Sequence, residues 1–576
     1  MNITNVRTWS LMNVRHTTQA LLLGLLLLGN LFALPVKAES NISAEEQSRL
    51  RGSVTPERAW WDLMHYELHV AVDIEAKHFA GKNTVSYRVL SESKDFQIEL
   101  QPPMKLVSAS QNGQTLEVTS KGYSYFISLN AEQAIGEEYQ LTVEFEGQPH
   151  IAKNAPWDGG VTWAEDSSGM PFVATANQGI GSSIWWPNKD HGYDEPDRGV
   201  DMHIEVPQPL VDVSNGRLVN IEENEERGTR TYHWQVKSPI NNYGVNINIA
   251  DYVNFSEQYQ GEAGTLDMDY YVLRENEEKA RVQFKDAVRA MEVLEHWFGA
   301  YAFYQDGFKL VEVPYLGMEH QSSVTYGNGY KNGYKGKDWS DSDWGLKWDY
   351  IIIHEMAHEW FANNVTAKDV ADIWIQESFT TYAEGLFVEY FYGKEAGYAY
   401  QRGVRKNVKN DKPMIGPYNV NQWGSSDVYF KGANVLHTLR QLVNDDEKWR
   451  SILRGLGKTF YQQTVTTKQI EDFIIEQSGL TLTPFFDQYL RDSRLPILQY
   501  RIKGNQLHAK WSNAVSTFDM AIKAKLVSKV SDNGSEEQEQ WFTLTTEWQT
   551  FDLPEANTKV VWDKNFYIAT AFLAEQ

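Results

Sequence analysis

Hydrophobic and polar positions along this chain change their period twice. Between residues 56 and 255, short segments rich in β-branched and aromatic residues alternate apolar with polar positions, for example over residues 66–74 and 139–145. A period of two, interrupted by turn residues, indicates β-strands that bury one face. We therefore predict an N-terminal β domain over residues 56–255.

A helical period begins near Glu275. From there, apolar residues recur three or four positions apart and fall on one helix face; they are Ala280, Phe284, Ala287, Met291, Leu294 and Phe298. Further helical patterns cover residues 348–361, 377–392, 431–444 and 468–478, with a polar loop at 404–413. These patterns predict a second domain, over residues 256–491, in which helices are prominent.

The alternating pattern returns after Arg491. It predicts strands over residues 498–502, 507–511, 521–530 and 560–569, and a hairpin turn at residues 531–535. Residues 492–576 are therefore predicted to form a third, β-sandwich-like domain. A chain of 576 residues is too long for one hydrophobic core, so the expected fold class is multidomain α+β.

The amino terminus has the composition of a targeting segment. Basic residues precede an almost wholly apolar stretch, residues 20–34, and Val36-Lys37-Ala38 offers small residues at a signal peptidase site. We predict a signal peptide over residues 1–38 and a flexible segment over residues 39–55. An uncleaved membrane anchor is the alternative, but the apolar stretch is shorter than the about 20 residues that a span needs.

Charge and cysteine content narrow the functional classes. The formal net charge is −24 and the chain has no Cys, which excludes disulfides, thiol chemistry and lipid attachment through Cys. An acidic surface repels phosphate backbones and anionic membranes, so nucleic-acid binding is disfavoured, although acidity also serves solubility alone. With the signal peptide, this predicts an exported bacterial protein, periplasmic or secreted, with no stable membrane anchor after cleavage.

A metal-binding pattern lies in the second domain. Residues 354–358 read His-Glu-Met-Ala-His, and Glu377 follows in another helical segment. His354 and His358 project from one helix face and can reach a single Zn²⁺, Glu377 can supply a third ligand, and one position stays open for water. Glu355 then lies beside the metal, where a carboxylate can accept a proton from the activated water. The alternative is a buried helix with salt-bridged His residues.

Companion motifs give this pattern a family resemblance. Gly317-Met318-Glu319 lies upstream, and three further motifs follow in order, namely Trp-Phe-Ala-Asn-Asn-Val-Thr at 360–366, Trp-Ile-Gln-Glu-Ser-Phe at 374–379 and Tyr-Phe-Lys-Gly at 429–432. In this combination the chain resembles the zinc aminopeptidases of the aminopeptidase N and leukotriene hydrolase type, which are gluzincin metallopeptidases. The resemblance covers nearly the whole chain after residue 38. It implies a thermolysin-like α/β catalytic domain between the two β domains, and one Zn²⁺ per chain.

Substrate-binding roles follow from the resemblance. It places Glu319 at the free α-ammonium of a peptide, in a strand with Gly317 and Met318 that borders the cleft. It gives Gln178 a second amine contact and makes Tyr429 the hydrogen-bond donor to the developing oxyanion. Physical chemistry agrees, because a carboxylate outside the metal's ligand set attracts an ammonium and places the scissile bond one residue from the end.

Each of these residues also has a purely structural interpretation. Glu319 would then be an ion-paired carboxylate at a strand edge, Gln178 a residue that satisfies loop backbone groups, and Tyr429 a packing residue with its hydroxyl at the surface.

Four positions depart from the family pattern: Leu316 replaces a Gly, His320 an Asn, Gln376 an Asn, and Ser378 a Gly. We expect Ser378 to be tolerated. We expect His320 to add a positive or hydrogen-bonding group beside the ammonium site, with a pH dependence near neutrality. Asp372 and Glu384 are candidates for orienting the metal-binding His residues, with surface salt bridges as the alternative.

Taken together, the residues and the resemblance predict a zinc-dependent aminopeptidase that acts on exported peptides with a free N-terminus. Three alternatives stay open: a zinc endopeptidase, a zinc hydrolase of another small substrate such as an epoxide, and a non-catalytic peptide-binding protein. The complete set of ligand, base and Tyr positions argues against the last. Larger relatives cover the cleft with a helical domain, so an open cleft is expected here, and the oligomeric state is left undetermined.

Overall fold

The computed structural model describes residues 37–39, 42–531 and 534–574. The predicted signal peptide lies outside the described residues except for Lys37 and Ala38, and so do Asp532 and Asn533 of the predicted hairpin turn. Among the helices in these ranges, none combines the length and apolar character that a bilayer crossing requires.

An eight-stranded sheet dominates the N-terminal region. The strands at its centre, Trp61–Asp73 and Val200–Pro207, bury alternate side chains, as the period of two predicts. In spatial order they are Arg217–Asn224, Thr229–Val236, Val200–Pro207, Trp61–Asp73, His78–Val89, Glu138–Gly147, Lys105–Gln111 and Gln114–Thr115. Neighbouring strands are antiparallel except Trp61–Asp73 and Val200–Pro207, which run parallel and join the two halves of the sheet.

Two smaller sheets complete this region. One consists of Lys37–Glu39, Glu117–Lys121, Ser124–Ser128 and Asp95–Glu99, and the other of Gly160–Glu165, Pro171–Ala176, Asn248–Ala250 and Val211–Val213. Their inward side chains share one hydrophobic core with the large sheet. The polar segment 39–55, expected to be flexible, instead contains the helix Ala44–Gly52, which ends with Arg51 ion-paired to Asp190 at 2.9 Å.

The central region begins with a five-stranded sheet in the order Tyr252–Gly261, Gly264–Leu273, Phe308–Glu312, Val324–Tyr326 and Gly317–Met318. Its first strand crosses the predicted border between residues 255 and 256; the domain borders themselves stay predictions. Helices follow and cover the sheet, and a two-stranded sheet, Val365–Ala367 with Gln463–Val465, lies among them.

The helices of this region are Glu277–Gln283, Lys285–Phe298, Tyr350–Ala357, Trp374–Tyr392, Lys394–Gly403, Phe430–Val443, Asp446–Thr459, Thr467–Ser478 and Thr483–Arg491. The helical periods near Glu275 and over 377–392, 431–444 and 468–478 are confirmed. The sequence patterns did not predict Lys394–Gly403, Asp446–Thr459 or Thr483–Arg491.

Two C-terminal sheets close the chain. One has the order Gln549–Asp552, Gln506–Ser512, Ile497–Lys503 and Ala569–Phe572; the other has Gly534–Leu544, Met520–Ser531 and Lys559–Trp562. The predicted strand over 560–569 is wrong in its middle, because Asp563 accepts a hydrogen bond from Asn565 N at 2.9 Å and forms a turn. The observed mixture of sheets and helices confirms the predicted multidomain α+β class.

Candidate active site

The motif helix, Tyr350–Ala357, has a firmly capped start. Asp349 precedes it and accepts hydrogen bonds from the backbone N–H groups of Ile351 at 3.1 Å and Ile352 at 3.4 Å. The Ile side chains are buried in the central core, which turns His354 and Glu355 toward a cavity of about 600 Å³. Packing and capping thus determine where the motif points.

The ligand helix, Trp374–Tyr392, packs against the motif helix and supplies Glu377. The Oε2 atom of Glu377 lies 3.4 Å from His358 Nε2 and 3.9 Å from His354 Nε2. The structure therefore brings together the three residues predicted as metal ligands, all of them buried.

The chemistry of these atoms fits a zinc ion. Glu377 Oε2 is buried and accepts no hydrogen bond from any described residue, which is costly for a carboxylate unless a cation satisfies it. Two imidazole nitrogens and one carboxylate oxygen are a ligand set that zinc accepts while keeping one position open. His354, His358 and Glu377 would hold the ion.

Both His rings are oriented through their other nitrogen. His354 Nδ1 lies 2.8 Å from Glu384 Oε1, and His358 Nδ1 lies 3.0 Å from the carbonyl oxygen of Phe361. Donation through Nδ1 leaves Nε2 free for a metal. Tyr400 in turn donates to Glu384 Oε2 at 2.7 Å, so the predicted role of Glu384 agrees with its contacts.

The predicted role of Asp372 is wrong. Its carboxylate accepts hydrogen bonds from Thr467 N at 3.1 Å and from Tyr418 OH at 2.7 Å. Asp372 therefore anchors the start of the helix Thr467–Ser478 and does not touch either metal-binding His.

We expect Glu384→Gln to weaken zinc binding by about 10- to 100-fold, since loss of the carboxylate that orients a His ligand has effects of that size. Competition with a zinc chelator of known affinity measures the change. Asp372→Asn is the matched control. Asp372 is also a buried carboxylate and lies just before the helix Trp374–Tyr392 that carries Glu384, but it does not contact His354 or His358. Equal weakening in both variants would contradict the orienting role of Glu384.

Glu319 lies beside the metal ligands. It is 2% exposed, and its carboxylate oxygen lies within 4.8 Å of ligating atoms of Glu355 and His358. Gln178 Nε2 donates to Glu319 Oε1 at 2.5 Å and Tyr243 OH donates to the same atom at 3.2 Å. The alternative of a Glu319 ion-paired to Lys or Arg is wrong, since the charged groups acting on it are His358 and other carboxylates.

Gln178 connects this carboxylate to the metal site. Besides Glu319, its Nε2 reaches Glu377 Oε1 at 3.3 Å. Gln178 comes from the turn after the strand Pro171–Ala176, in the N-terminal region. Two regions of the chain therefore contribute to one site.

The strand Gly317–Met318 forms one wall of the cavity, together with Leu316. A Cβ atom on Gly317 would lie 2.5 Å from Ile351 Cγ2 and 3.4 Å from Glu355 Cγ. Only glycine allows the strand to approach the motif helix this closely.

Tyr429 also lines this cavity and directly precedes the helix Phe430–Val443. Its ring stacks on His354 at a centroid distance of 6.1 Å. Burial, and then the charge of Glu377, raise the pKa of Tyr429, so the hydroxyl stays protonated and able to donate. The alternative of a tyrosine with its hydroxyl at the surface is wrong.

Ser378 is accommodated by its surroundings. Its Oγ donates to the carbonyl oxygen of Val428 at 2.6 Å, and a Cβ on Gly432 would collide with it. The glycine of the Tyr-Phe-Lys-Gly motif therefore makes room for the serine, as expected for a tolerated change.

The expectation for His320 is wrong. The side chain is fully buried and does not line the cavity; its Nδ1 lies 3.0 Å from Asn246 Nδ2. Burial lowers the pKa of His320 to about 3, so the ring is neutral near pH 7 and carries no positive charge to the ammonium site.

Sequence reasoning missed Tyr243 and Gln376. Gln376 Nε2 donates to Tyr243 OH at 2.8 Å, and that hydroxyl then donates to Glu319. Tyr243 lies in the short turn Asn242–Gly244, far from any motif, so no local pattern marks it. Trp157, Asp158 and other residues at the cavity wall were missed for the same reason.

Charge accumulates in this cavity in a way that favours cations. Glu319, Glu355 and Glu377 are all buried beside it. Burial raises the pKa of Glu355 to about 7, with the neighbouring His354 acting in the opposite direction. A carboxylate with a pKa near neutrality can both accept and return a proton.

A family model described as the Peptidase family M1 domain matches residues 282–489. The chain carries a peptidase M1 domain. Within that range lie the three metal-ligand candidates, Glu319, Glu355 and Tyr429, whereas Gln178 and Tyr243 precede it.

Similar proteins extend the likeness beyond the M1 domain. Over 418 residues the chain is 21% identical to a leucyl aminopeptidase of Saccharolobus solfataricus. The aligned region covers 70% of this chain and 50% of that protein. This chain thus spans half the length of that relative. Zinc is the cofactor that the M1 domain and its metallopeptidase neighbours imply.

Solved structures show the shared fold. A mutant M1 zinc metallopeptidase from Deinococcus radiodurans, bound to the substrate Tyr-Ser-Ala, superposes with a TM-score of 0.63 at 21% identity, covering 76% of this chain and 96% of that one. Legionella pneumophila aminopeptidase A, in complex with aspartic acid, gives a TM-score of 0.73 at 16% identity, covering 90% of this chain and 60% of that one.

Proposed function

We propose that this protein is a zinc-dependent aminopeptidase that removes the N-terminal residue of peptides. The observation that carries the proposal is Glu319, a buried carboxylate beside the zinc ligands but outside their set. Such a group provides a counter-charge for a substrate ammonium close to the metal. Because the ammonium of a peptide is at its end, the bond presented to the metal is the first one.

The amine site is preorganised by neutral donors. Gln178 and Tyr243 hold the Glu319 carboxylate in place without neutralising it. An ammonium bound there gains charge-assisted hydrogen bonds in a site shielded from water. An N-blocked peptide leaves the carboxylate buried and without its counter-charge, which disfavours binding.

The remaining residues divide the chemical work. When bound by His354, His358 and Glu377, zinc would polarise the scissile carbonyl and lower the pKa of a water molecule. Glu355 accepts the proton at its carboxylate and returns it to the leaving amine nitrogen. The hydroxyl of Tyr429 donates a hydrogen bond to the carbonyl oxygen as negative charge develops there.

Peptides are the substrate class that the comparisons support. One structural neighbour holds the tripeptide Tyr-Ser-Ala as its substrate, and the sequence relative is named as an aminopeptidase. The cavity of about 600 Å³ is large enough for a few residues of such a peptide.

The test uses one short peptide in two forms, with a free and with an acetylated amino terminus, and zinc-loaded protein. We expect hydrolysis of the free form alone, with release of the first residue, and loss of activity after zinc removal by a chelator. Glu319→Ala should remove most of the preference between the two forms. Equal cleavage of both forms by the unmodified protein would indicate an endopeptidase and reject the amine-anchoring role of Glu319.

A further inference from the structure

A row of histidines crosses the outer face of the eight-stranded sheet. His69, His203 and His233 lie on three adjacent strands and are direct register partners. The rings of His69 and His203 stack with centroids 4.1 Å apart and planes 4° apart, and His203 stacks on His233 at the same distance. Such a row brings imidazole nitrogens of separate strands within reach of one another.

The carboxylate of Asp201 contacts one histidine of this row and one histidine outside it. Asp201 Oδ1 lies 2.6 Å from His233 Nε2, and Asp201 Oδ2 lies 3.0 Å from His65 Nε2. Asp201 therefore engages His233 of the row and His65 outside it, and it accepts no hydrogen bond from His69 or His203.

Glu67 completes a group of three. It lies two residues before His69 on the same strand and the same sheet face, with its Oε1 atom 3.3 Å from His69 Nε2. One ligating atom from each of Glu67, His69 and His203 falls within 4.8 Å of the other two. The side chains of Glu67 and His69 are 49% and 33% exposed, so an ion can enter from solvent.

The chemical state of the two rings suits a metal. Burial lowers the pKa of His203 to about 4, and His69 and His233 add to the effect; burial also lowers the pKa of His69. Both imidazoles are therefore neutral at pH 7, which is the form that binds a divalent ion. Two imidazoles with one carboxylate are ligands that zinc accepts in tetrahedral geometry, with water as the fourth.

We propose that Glu67, His69 and His203 form a second divalent-metal site, which binds zinc and is separate from the M1 centre. The site would link Trp61–Asp73 to Val200–Pro207, the parallel pair that joins the two halves of the sheet. Binding to the folded state alone would raise the free energy of unfolding with the logarithm of the zinc concentration once that exceeds the Kd.

One neighbouring charge opposes this site and provides a sharp test. Lys82 is the register partner of His69 on the strand His78–Val89, and its charge acts on that ring. Glu144 faces Lys82 from the following strand. Removing the ammonium should therefore tighten zinc binding, whereas removing a ligand should abolish it.

The experiment counts zinc equivalents on the full chain by isothermal titration with Zn²⁺ alone. We expect two equivalents for the unmodified protein and one for His203→Gln or His69→Gln, with His65→Gln as the matched control that keeps two. Lys82→Gln should keep two and lower the Kd of the weaker one. His358→Gln, which impairs the M1 centre, should retain the surface equivalent.

Three results would overturn the proposal. They are a single equivalent in the unmodified protein, two equivalents that persist in both His203→Gln and His69→Gln, and an equal loss in His65→Gln. Circular dichroism of each variant separates a lost site from a lost fold, and two independent ligand variants guard against either one failing to fold.

Discussion

Glu355→Gln is expected to reduce peptide hydrolysis by about 10³-fold or more while zinc content stays at the level of the unmodified protein. Gln keeps the shape of the side chain but cannot accept a proton, and general-base catalysis contributes about 10²- to 10⁴-fold. The Glu355 carboxylate faces the cavity but is not one of the three predicted ligands, so metal binding should persist.

The measurement is kcat/KM for a free tripeptide, with zinc determined by elemental analysis of the same sample. Glu359→Gln is the matched control. Glu359 lies one turn further along the same segment and accepts a hydrogen bond from Ser322 N at 2.7 Å, and burial raises its pKa to about 8. At pH 7 the Glu359 side chain is therefore largely an uncharged acid, and Gln replaces it with an uncharged amide of the same shape. Because Glu359 does not line the cavity, activity should stay close to that of the unmodified protein. Retained activity in Glu355→Gln would reject the mechanism.

Tyr429→Phe is expected to lower kcat by about 10²- to 10³-fold with little change in KM. The Tyr429 hydroxyl would donate its hydrogen bond to the negative charge that forms on the carbonyl oxygen in the transition state. Removal of one such donor lowers kcat by about this factor. The phenyl ring preserves the stacking on His354, so zinc affinity should not change.

Separate determination of kcat and KM checks this prediction. Tyr334→Phe is the control. Tyr334 also lines the cavity, but its ring contacts Trp339 and Tyr350, whereas the ring of Tyr429 stacks on His354. A rise in KM with unchanged kcat in Tyr429→Phe would show that the hydroxyl binds substrate and does not stabilise the transition state.

The metal centre could be predicted from the sequence because its geometry is local. His354 and His358 are one helix turn apart and therefore share a helix face, and Glu377 lies on the next helix. The helical period of the sequence is therefore enough to predict that these three residues can meet. The helix Asp446–Thr459 was missed although Trp449, Ile452, Leu453 and Leu456 follow a helical period, so that signal was present.

The residues of the proposed amine site are far apart in the sequence, so local sequence patterns do not predict their contacts. Tyr243 meets Glu319 across 76 residues, and Gln178 meets it across 141; such contacts depend on how separate sheets pack and leave no periodic trace. His320 was misassigned because its position beside Glu319 in sequence says nothing about its burial. Both residues follow the strand Gly317–Met318, but Glu319 lines the cavity, whereas His320 Nδ1 lies beside Asn246 Nδ2 outside it.

The hydrogen bond from Gln178 to Glu319 has a further consequence for how this protein is assembled. The candidate zinc ligands lie on or next to two consecutive helices, whereas Gln178, which holds the carboxylate of the proposed ammonium site, lies 199 residues before Glu377. Closing a loop of that length costs more conformational entropy than closing the short connection between two consecutive helices. In the proposed function, the groups for hydrolysis and the groups that select chain ends are therefore encoded at different sequence distances, and the selection of chain ends depends on packing between the N-terminal and central regions.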